Sequence, residues 1–244
     1  MPPDSKRFWE LDASRGFAIA LMIGYHFVFD LEYFGIMGRI SHPLMFWLPR
    51  GIGALFLLIF GISLSISYSR NAGLGANAPA IKELNRAAFL GAVAIAITIA
   101  TTIYPGDGAI VFGIIHLMAV SAALSPAFRR FRTFNLVFGS GLVIAGIAAN
   151  ATMVGTQWLV WLGFAFPGFY TLDYYPLLPW FGVVLIGMFL GKTLYPNAKR
   201  AFPAPAQNPG PGMLALAGRN SLAIYLLHQP ILVGIIAAYG YFLH

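Results

Sequence analysis

Ionisable side chains lie inside the first hydrophobic segment of this 244-residue chain. His26 and Asp30 are one helical turn apart, and Asp12 and Arg15 precede them in the same segment. On a helix with 100° per residue, all four side chains fall within a wedge of roughly 60°. A bilayer penalises an Asp at a helix centre by roughly 2.5–3.5 kcal/mol, so such groups usually face a partner, a cavity or a substrate path. The polar stripe therefore predicts a functional site along this helix.

The pair formed by His26 and Asp30 predicts a general base. Asp30 is spaced to accept the ring N–H of His26, which would fix the tautomer and raise the basicity of the imidazole. The structural alternative is a buried pair that only ties helices together. We favour the functional interpretation because an apolar pair would join two helices at a lower energetic cost.

A second histidine, His228, lies in the last hydrophobic segment. Ser221 precedes it by seven residues and shares its helix face, and Tyr225 flanks that face. This arrangement predicts a catalytic role for His228. Because Pro230 frees a backbone carbonyl, a structural histidine bonded to that carbonyl is the alternative.

Three further candidates could contact the substrate. His116 is the polar residue of the apolar stretch Gly113-Ile-Ile-His-Leu-Met, where a packing histidine is the slightly better interpretation. Asp173 and Tyr174 stand at the entry of the sixth apolar segment, where Asp173 could cap that helix or line the mouth of a site.

His42 lies in the first loop, where histidines are usually solvated. A zinc site would need several of these histidines to converge, and since no compact ligand motif is present we expect no metal.

Positive charge marks the inner end of the polar stripe. Arginines there could form an anion site for a phosphorylated donor, or could serve only as topology anchors. The predicted donor-binding residues are Arg15, Asp12, Arg70, Arg86, Arg219, Asn220 and Ser221.

The composition indicates which elements position these residues. Hydrophobic residues make up 59% of the chain and charged residues 9%, with a mean hydropathy of +0.75. Soluble domains have about 25% charged residues, so the chain is predicted to be an all-α integral membrane protein. About seven transmembrane helices are indicated near residues 12–34, 47–68, 87–104, 109–127, 134–154, 176–195 and 213–242. We predict one transmembrane domain over residues 1–244, with a flexible cytoplasmic linker at about 196–212.

The basic residues predict the orientation of these helices. With a cytoplasmic N-terminus and an outside C-terminus, thirteen of the fifteen Lys and Arg residues lie in inner segments. This asymmetry explains the net charge of +7 without a nucleic-acid partner. We expect a multi-pass protein of the plasma membrane, with residues 69–86 as a basic cytoplasmic loop. The aromatic segment 155–179 is predicted to be an outer lid or interfacial belt.

Four segments together resemble one protein family. They read LDASRG at 11–16 with YHFVFDL at 25–31, LIFGISLSISYSR at 58–70, DYYPLLPWFG at 173–182 and GRNSLAIYLLHQP at 218–230. In this order they resemble a short prokaryotic member of the heparan-α-glucosaminide N-acetyltransferase catalytic-domain family of multispan membrane acyltransferases. The resemblance implies transfer of an acetyl group from cytoplasmic acetyl-CoA to an acceptor on the other side, a glucosamine amine in the lysosomal relatives. By order along the chain, it also implies that His42 matches their catalytic histidine.

Two hypotheses of different class follow. The first is an acetyltransferase in which His26, oriented by Asp30, or His42 deprotonates an amine or hydroxyl acceptor, by direct transfer or through an acetyl-histidine intermediate. The candidate oxyanion donors are Asn220, Ser221 and protonated His228. The second is a proton-coupled transporter of small solutes, which the lack of a convincing internal repeat disfavours. The expected partners are a small acyl donor, a sugar-like acceptor and membrane lipid, without nucleic acid; a homodimer is compatible with the sequence.

Overall fold

The computed structural model describes residues 7–38, 40, 43–150, 152–203 and 212–243. Across these ranges the chain is all-α, which confirms the all-α part of the predicted fold class, and its only extended pairings are two isolated bridges. The α-helices are α1 (Trp9–Tyr33), α2 (Pro43–Asn71), α3 (Ala78–Ile103), α4 (Ile114–Phe128), α5 (Thr133–Asn150), α6 (Leu177–Leu194), α7 (Met213–Arg219) and α8 (Ser221–Leu243). Short 3-10 helices occupy Ala72–Leu74, Gln157–Leu162 and Pro196–Ala198.

Helix boundaries differ from the predicted apolar segments in two places. The predicted basic loop at 69–86 is mostly helical, because α2 continues to Asn71 and α3 already begins at Ala78. Hydropathy locates the apolar part of a helix but not the polar turns that extend beyond it. The last apolar segment is broken at Asn220, where the side-chain amide of Asn220 donates to the carbonyl of Leu216 and ends α7.

Four helical segments are long and apolar enough to cross a membrane. They are Pro43–Leu74, Ala78–Ile103, Leu177–Leu194 and Ser221–Ala238. The apolar helices α4 and α5 are shorter, and α1 carries Glu10, Asp12 and Arg15 near its start and Asp30 and Glu32 near its end. The fold thus supports a membrane protein, while the count of seven spans is an interpretation beyond these four.

The chain divides into two compact units. Unit 1 combines the N-terminal part up to Phe56 with the C-terminal part from Pro205, and unit 2 runs from Leu57 to Ala204. In unit 1, α1 packs along α7 and α8. A Cβ atom on Gly16 would collide with the backbone of Leu214, and one on Gly218 would collide with the backbone of Asp12. Glycine at both positions therefore lets α1 and α7 touch backbone to backbone.

Unit 2 is built from two antiparallel helix pairs, α3 with α4 and α5 with α6, together with the second half of α2. Close glycine contacts recur here, with Gly61 of α2 against Gly187 of α6 and Gly139 of α5 against Gly182 of α6. The core of unit 2 is filled by fully buried aliphatic side chains, namely Leu57, Leu64, Leu117, Val184, Leu185 and Met188.

Candidate functional site

Two histidines face each other where α1 contacts α8 in unit 1. The ring centroids of His26 and His228 are 5.0 Å apart, with an angle of 55° between the ring planes. Tyr25 and Phe29 place their rings edge-on to His26. The structure thus brings together two of the four predicted catalytic residues, which are 202 positions apart in the sequence (228 − 26).

Backbone contact fixes the tautomer of His228. Its Nδ1 lies 2.7 Å from the carbonyl oxygen of Tyr225, and a carbonyl can only accept, so Nδ1 carries the proton. The second nitrogen, Nε2, then holds a lone pair, and this buried atom has no hydrogen-bond partner among the described residues. The ring is therefore held by a backbone carbonyl, although not by that of Leu226, which Pro230 frees, and it still presents a basic nitrogen.

Asp30 is bonded across to α8 and not along its own helix. Its side chain is buried, and its Oδ1 accepts a hydrogen bond of 3.0 Å from Nε2 of Gln229. Neither Oδ2 of Asp30 nor Nδ1 of His26 has a hydrogen-bond partner in the described part of the chain. The predicted bond from His26 to Asp30 is thus absent here, because the short Asp side chain reaches the neighbouring helix.

Gln229 was not singled out by the sequence analysis. Its amide donates to Asp30, while its Oε1 is buried without a partner within the described ranges. A signal was present, since Gln229 follows His228 directly and is a polar residue inside an apolar span. What the sequence could not supply is the pairing of Gln229 with a residue 199 positions away.

The inner end of α1 carries the predicted donor-binding charges of unit 1. Nη1 of Arg15 lies 2.7 Å from Oδ1 of Asp12, and Nε of Arg219 lies 3.6 Å from Oδ2 of the same carboxylate. Two guanidinium groups thus share one carboxylate, and the trio keeps a net positive charge. Asn220 and Ser221 follow Arg219 at the junction of α7 and α8, so five of the seven predicted donor-binding residues share one end of unit 1.

The other two predicted donor-binding residues, Arg70 and Arg86, belong to unit 2. Arg86 has its Nη1 3.5 Å from Oε2 of Glu83 and its guanidinium 4.8 Å from the ring centre of Phe60. Glu83 is fully buried and accepts a hydrogen bond from the Ser67 hydroxyl. Arg86 therefore has a charge partner of its own, and its role in donor binding stays a prediction.

His116 has hydrogen-bond partners for both ring nitrogens. Its Nδ1 accepts from the backbone N–H of Gly113 at 3.3 Å, so the proton is on Nε2, which lies 3.0 Å from the Thr98 hydroxyl. That hydroxyl in turn donates to the carbonyl of Ile110 at 2.7 Å. The ring of His116 therefore caps the start of α4 and links α4 to α3 through a hydrogen bond. A contact with substrate stays a prediction.

Asp173 caps a helix, but not the one that follows it. Its Oδ2 accepts from the backbone N–H of Ile114 in the first turn of α4 at 3.0 Å, whereas the N-cap of α6 is Pro176. The neighbouring Tyr174 donates its hydroxyl to the carbonyl of Val160 at 2.8 Å, and burial raises the pKa of Tyr174 to about 12. Tyr174 is therefore a neutral hydrogen-bond donor at physiological pH. The substrate roles predicted for both residues are untested.

His42 lies outside the described residues, so its predicted role stays a prediction. Within the described ranges, no three His, Asp or Glu side chains form a group that could hold a metal ion.

Comparison with protein-family models matches residues 7–230 to the family described as heparan-alpha-glucosaminide N-acetyltransferase, catalytic. The match covers most of the chain. The chain belongs to this family. Membership confirms the resemblance drawn from the four sequence segments and implies acyltransferase activity in a membrane-associated protein, within a family that in general uses acetyl-CoA as donor. No curated protein and no solved structure gives a significant match.

Proposed function

We propose that this heparan-α-glucosaminide N-acetyltransferase-like protein transfers an acetyl group from cytoplasmic acetyl-CoA to an amine on the opposite side of the membrane. The observation that carries the proposal is the group of buried polar atoms between α1 and α8. This group, the α1–α8 site, consists of His26, Asp30, His228 and Gln229. Family membership favours acyl transfer over the proton-coupled transport considered as the alternative.

The α1–α8 site is rich in acceptors that lack a donor. Oδ2 of Asp30, Oε1 of Gln229 and Nε2 of His228 all carry lone pairs, and none has a hydrogen-bond partner among the described residues. Buried polar atoms are nearly always hydrogen-bonded in native proteins, so a ligand that supplies donors is the natural complement. A primary amine brings two or three N–H groups, whereas a hydroxyl brings one. The site therefore favours an amine acceptor such as an amino sugar.

We choose His228 as the base, and its tautomer supports this choice. Its Nε2 accepts a proton from the acceptor amine while the amine nitrogen attacks the thioester carbonyl carbon. The C–S bond then breaks, and the imidazolium returns the proton to the departing thiolate. Acetyl-CoA supplies the activated acetyl group, and Asp30 with Gln229 orients the amine and offsets the charge on the imidazolium. His42 remains the competing candidate for the base.

The positively charged trio of Asp12, Arg15 and Arg219 is proposed to bind the phosphates of the donor. Arg15 and His26 are eleven residues apart on α1, which corresponds to about 16 Å at the helical rise of 1.5 Å per residue. Because one helix carries both groups, the phosphates and the reacting acetyl group can be held at its two ends. Guanidinium groups suit this role since they bind phosphate through paired N–H donors.

The proposed topology has about seven spans, a cytoplasmic N-terminus and an outside C-terminus in the plasma membrane. It is supported by the bias of Lys and Arg toward one side of the sequence-predicted helices. In this orientation the trio lies at the cytoplasmic end of α1, where acetyl-CoA is available, and the α1–α8 site lies toward the opposite side.

The direct test is binding and turnover with the purified full chain. We expect acetyl-CoA to bind in calorimetry, Arg219→Gln to weaken that binding, and the exposed control Arg130→Gln, with the same loss of charge, to leave it unchanged. Glucosamine should be acetylated and glucose, which has a hydroxyl in place of the amine, should not. Variants His26→Ala, His42→Ala and His228→Gln then separate the candidate bases. Absence of acetyl-CoA binding, or full turnover in all three variants, would refute the proposal.

A further inference from the structure

A column of aromatic rings runs along the second half of α1, on the face that carries His26. Tyr25, Phe29 and Tyr33 follow one another at intervals of four residues. Neighbouring rings are nearly parallel, with centroids 6.2 Å apart and interplanar angles of 26° and 22°. We call Phe29 and Tyr33 the aromatic subsite. We propose that this subsite binds an uncharged sugar ring linked to the acetylated amino sugar. The proposal rests on the proposed function, since it concerns the acceptor of that reaction.

The aromatic subsite is continuous with the α1–α8 site. The ring of Phe29 stands at 84° to that of His26, with centroids 6.4 Å apart, and Asp30 follows Phe29 directly. At 100° per residue, His26, Phe29 and Tyr33 fall within a wedge of roughly 60°. Tyr33 is the last residue of α1 and lies about 10 Å along the helix axis from His26, at a rise of 1.5 Å per residue. An amino sugar held at His26 therefore places the next sugar ring beside Tyr33.

The aromatic subsite opens toward the end of α1. Tyr33 is 53% exposed and Phe29 is half-buried, whereas the neighbouring Asp30 is 2% exposed. An accessible aromatic ring beside a buried polar group suits a ligand that is apolar on one face and polar at its edge. A pyranose ring has this form, because its C–H groups can pack against the negative face of an aromatic ring while its hydroxyl groups point outward.

Carboxylates beside the rings favour a sugar over a hydrocarbon chain. Asp30 and Glu32 lie between Phe29 and Tyr33 in the sequence, and Oε1 of Glu32 accepts from the backbone N–H of Ile40 at 2.8 Å. That bond holds the segment after α1 close to the helix end. An alkyl chain offers no hydrogen-bond donor to a carboxylate, whereas each sugar hydroxyl offers one. The mixture of rings and acids thus matches the two kinds of surface on a sugar.

The charge around the aromatic subsite selects an uncharged sugar. Asp30 and Glu32 place two carboxylates beside it. Among the described residues of the segment 29–50, Arg50 is the only Lys or Arg. Phe46 engages this cation, since Nη1 of Arg50 donates to the carbonyl of Phe46 at 2.7 Å and the guanidinium carbon lies 3.6 Å from the centre of its ring. A uronic acid or a sulfated sugar adds a further negative charge, and like charges repel.

The test compares three acceptors with the purified full chain and acetyl-CoA. They are glucosamine, glucosamine linked to glucose and glucosamine linked to glucuronic acid. We expect the KM of the neutral disaccharide to be about two- to tenfold below that of glucosamine, because stacking on an aromatic ring adds binding free energy. The acidic disaccharide should have a higher KM than the neutral one, and added sodium chloride should narrow this difference. Equal KM values for the two disaccharides, or no gain of the neutral disaccharide over glucosamine, would overturn the proposal.

Tyr33→Leu and Phe27→Leu separate stacking from the general apolarity of α1. Phe27 is 45% exposed and lies roughly 200° around the helix from Phe29, so it serves as the matched control. The preference for the neutral disaccharide over glucosamine should disappear in Tyr33→Leu and persist in Phe27→Leu. An unchanged preference in Tyr33→Leu would contradict the aromatic subsite. If Tyr33→Leu fails to fold, Phe29→Leu is measured in its place with the same expected loss.

Saturation-transfer NMR with the neutral disaccharide, in the absence of acetyl-CoA, separates this proposal from the proposed function. Saturation should pass from the full chain to the C–H protons of the glucose ring, and it should weaken in Tyr33→Leu. This pattern without any turnover would refute acetyl transfer and leave the aromatic subsite supported. Turnover without transfer to the glucose ring would refute the aromatic subsite and leave acetyl transfer supported.

Discussion

His228 in unit 1 and His116 in unit 2 are the same residue type in the same apolar setting, yet their contacts differ. Both nitrogens of His116 have hydrogen-bond partners, Gly113 on one side and Thr98 on the other. Among the described residues, His228 has a hydrogen-bond partner for Nδ1 only, and its Nε2 keeps a lone pair. His116 thus has both nitrogens engaged in contacts between helices, whereas His228 keeps a nitrogen that can accept a proton, as the proposed function requires.

The same contrast separates two aspartates, Asp173 in unit 2 and Asp30 in unit 1. Asp173 uses Oδ2 to cap the first turn of α4, a role that the free N–H groups of every helix start require. Asp30 caps nothing and keeps Oδ2 without a hydrogen-bond partner in the described part of the chain. In unit 2 Asp173 thus stabilises a helix start, whereas in unit 1 Asp30 keeps an acceptor atom that the proposed site can use.

The largest expected effect is on turnover, from His228→Gln. Loss of a general base lowers kcat by about 10²–10⁴-fold, while the glutamine keeps a polar side chain of similar length. The matched variant His116→Gln should keep kcat and KM and lower the melting temperature. Steady-state kinetics and thermal unfolding of both variants check the comparison. A raised KM for His116→Gln would instead support the substrate contact predicted from the sequence.

Next in size is the effect of Gln229→Ala on stability. This change leaves Oδ1 of buried Asp30 without its donor, which costs about 1–3 kcal/mol. The double variant Asp30→Leu/Gln229→Leu removes both partners and should recover most of that stability while remaining inactive. Thermal unfolding in detergent measures the first effect and the acetylation assay the second. Full activity of the double variant would remove Asp30 and Gln229 from the site.

A smaller loss is expected for Asp173→Ala. Removal of a side chain that caps a helix start lowers the free energy of unfolding by about 0.5–2 kcal/mol. Asp173→Asn keeps an oxygen acceptor for the N–H of Ile114 and should retain most of the stability. If Asp173→Ala left stability unchanged but raised KM for the acceptor, the substrate role would take precedence over the cap.

The smallest effect is expected for Tyr174→Phe, which removes one partly buried hydrogen bond, worth about 0.5–1.5 kcal/mol. Because burial raises the pKa of Tyr174 from 10.0 to about 12, the folded state favours the neutral phenol. Its contribution to stability is therefore complete below pH 10 and is lost as the pH rises through about 12. Unfolding measured at pH 8 and at pH 11.5 should show a smaller pH dependence in the variant than in the parent, while turnover between pH 6 and 9 owes nothing to Tyr174 ionisation.

Much of the fold followed from the sequence because apolar runs of about twenty residues permit little else. Helices were found in every predicted segment, and the four family-like segments identified the family. The errors lie where polar residues continue a helix, as at the start of α3, or interrupt one, as at Asn220. Hydropathy does not record backbone hydrogen bonds, so it could not place these ends.

The sequence by itself determined which polar groups lie in apolar segments, where burying a polar group is energetically unfavourable. His26, Asp30 and His228 occupy such segments whatever their partners are. It also determined the positive charge near Arg15 and Arg219, because charge is a property of composition. Only the tertiary structure decided the partners. In the folded chain Asp30 accepts a hydrogen bond from Gln229 and not from His26. Nδ1 of His228 donates to the carbonyl of Tyr225, and Asp173 caps the start of α4. Hydrogen bonds are short and directional, so they depend on which helices become neighbours, and residues far apart in sequence meet only once the chain has packed.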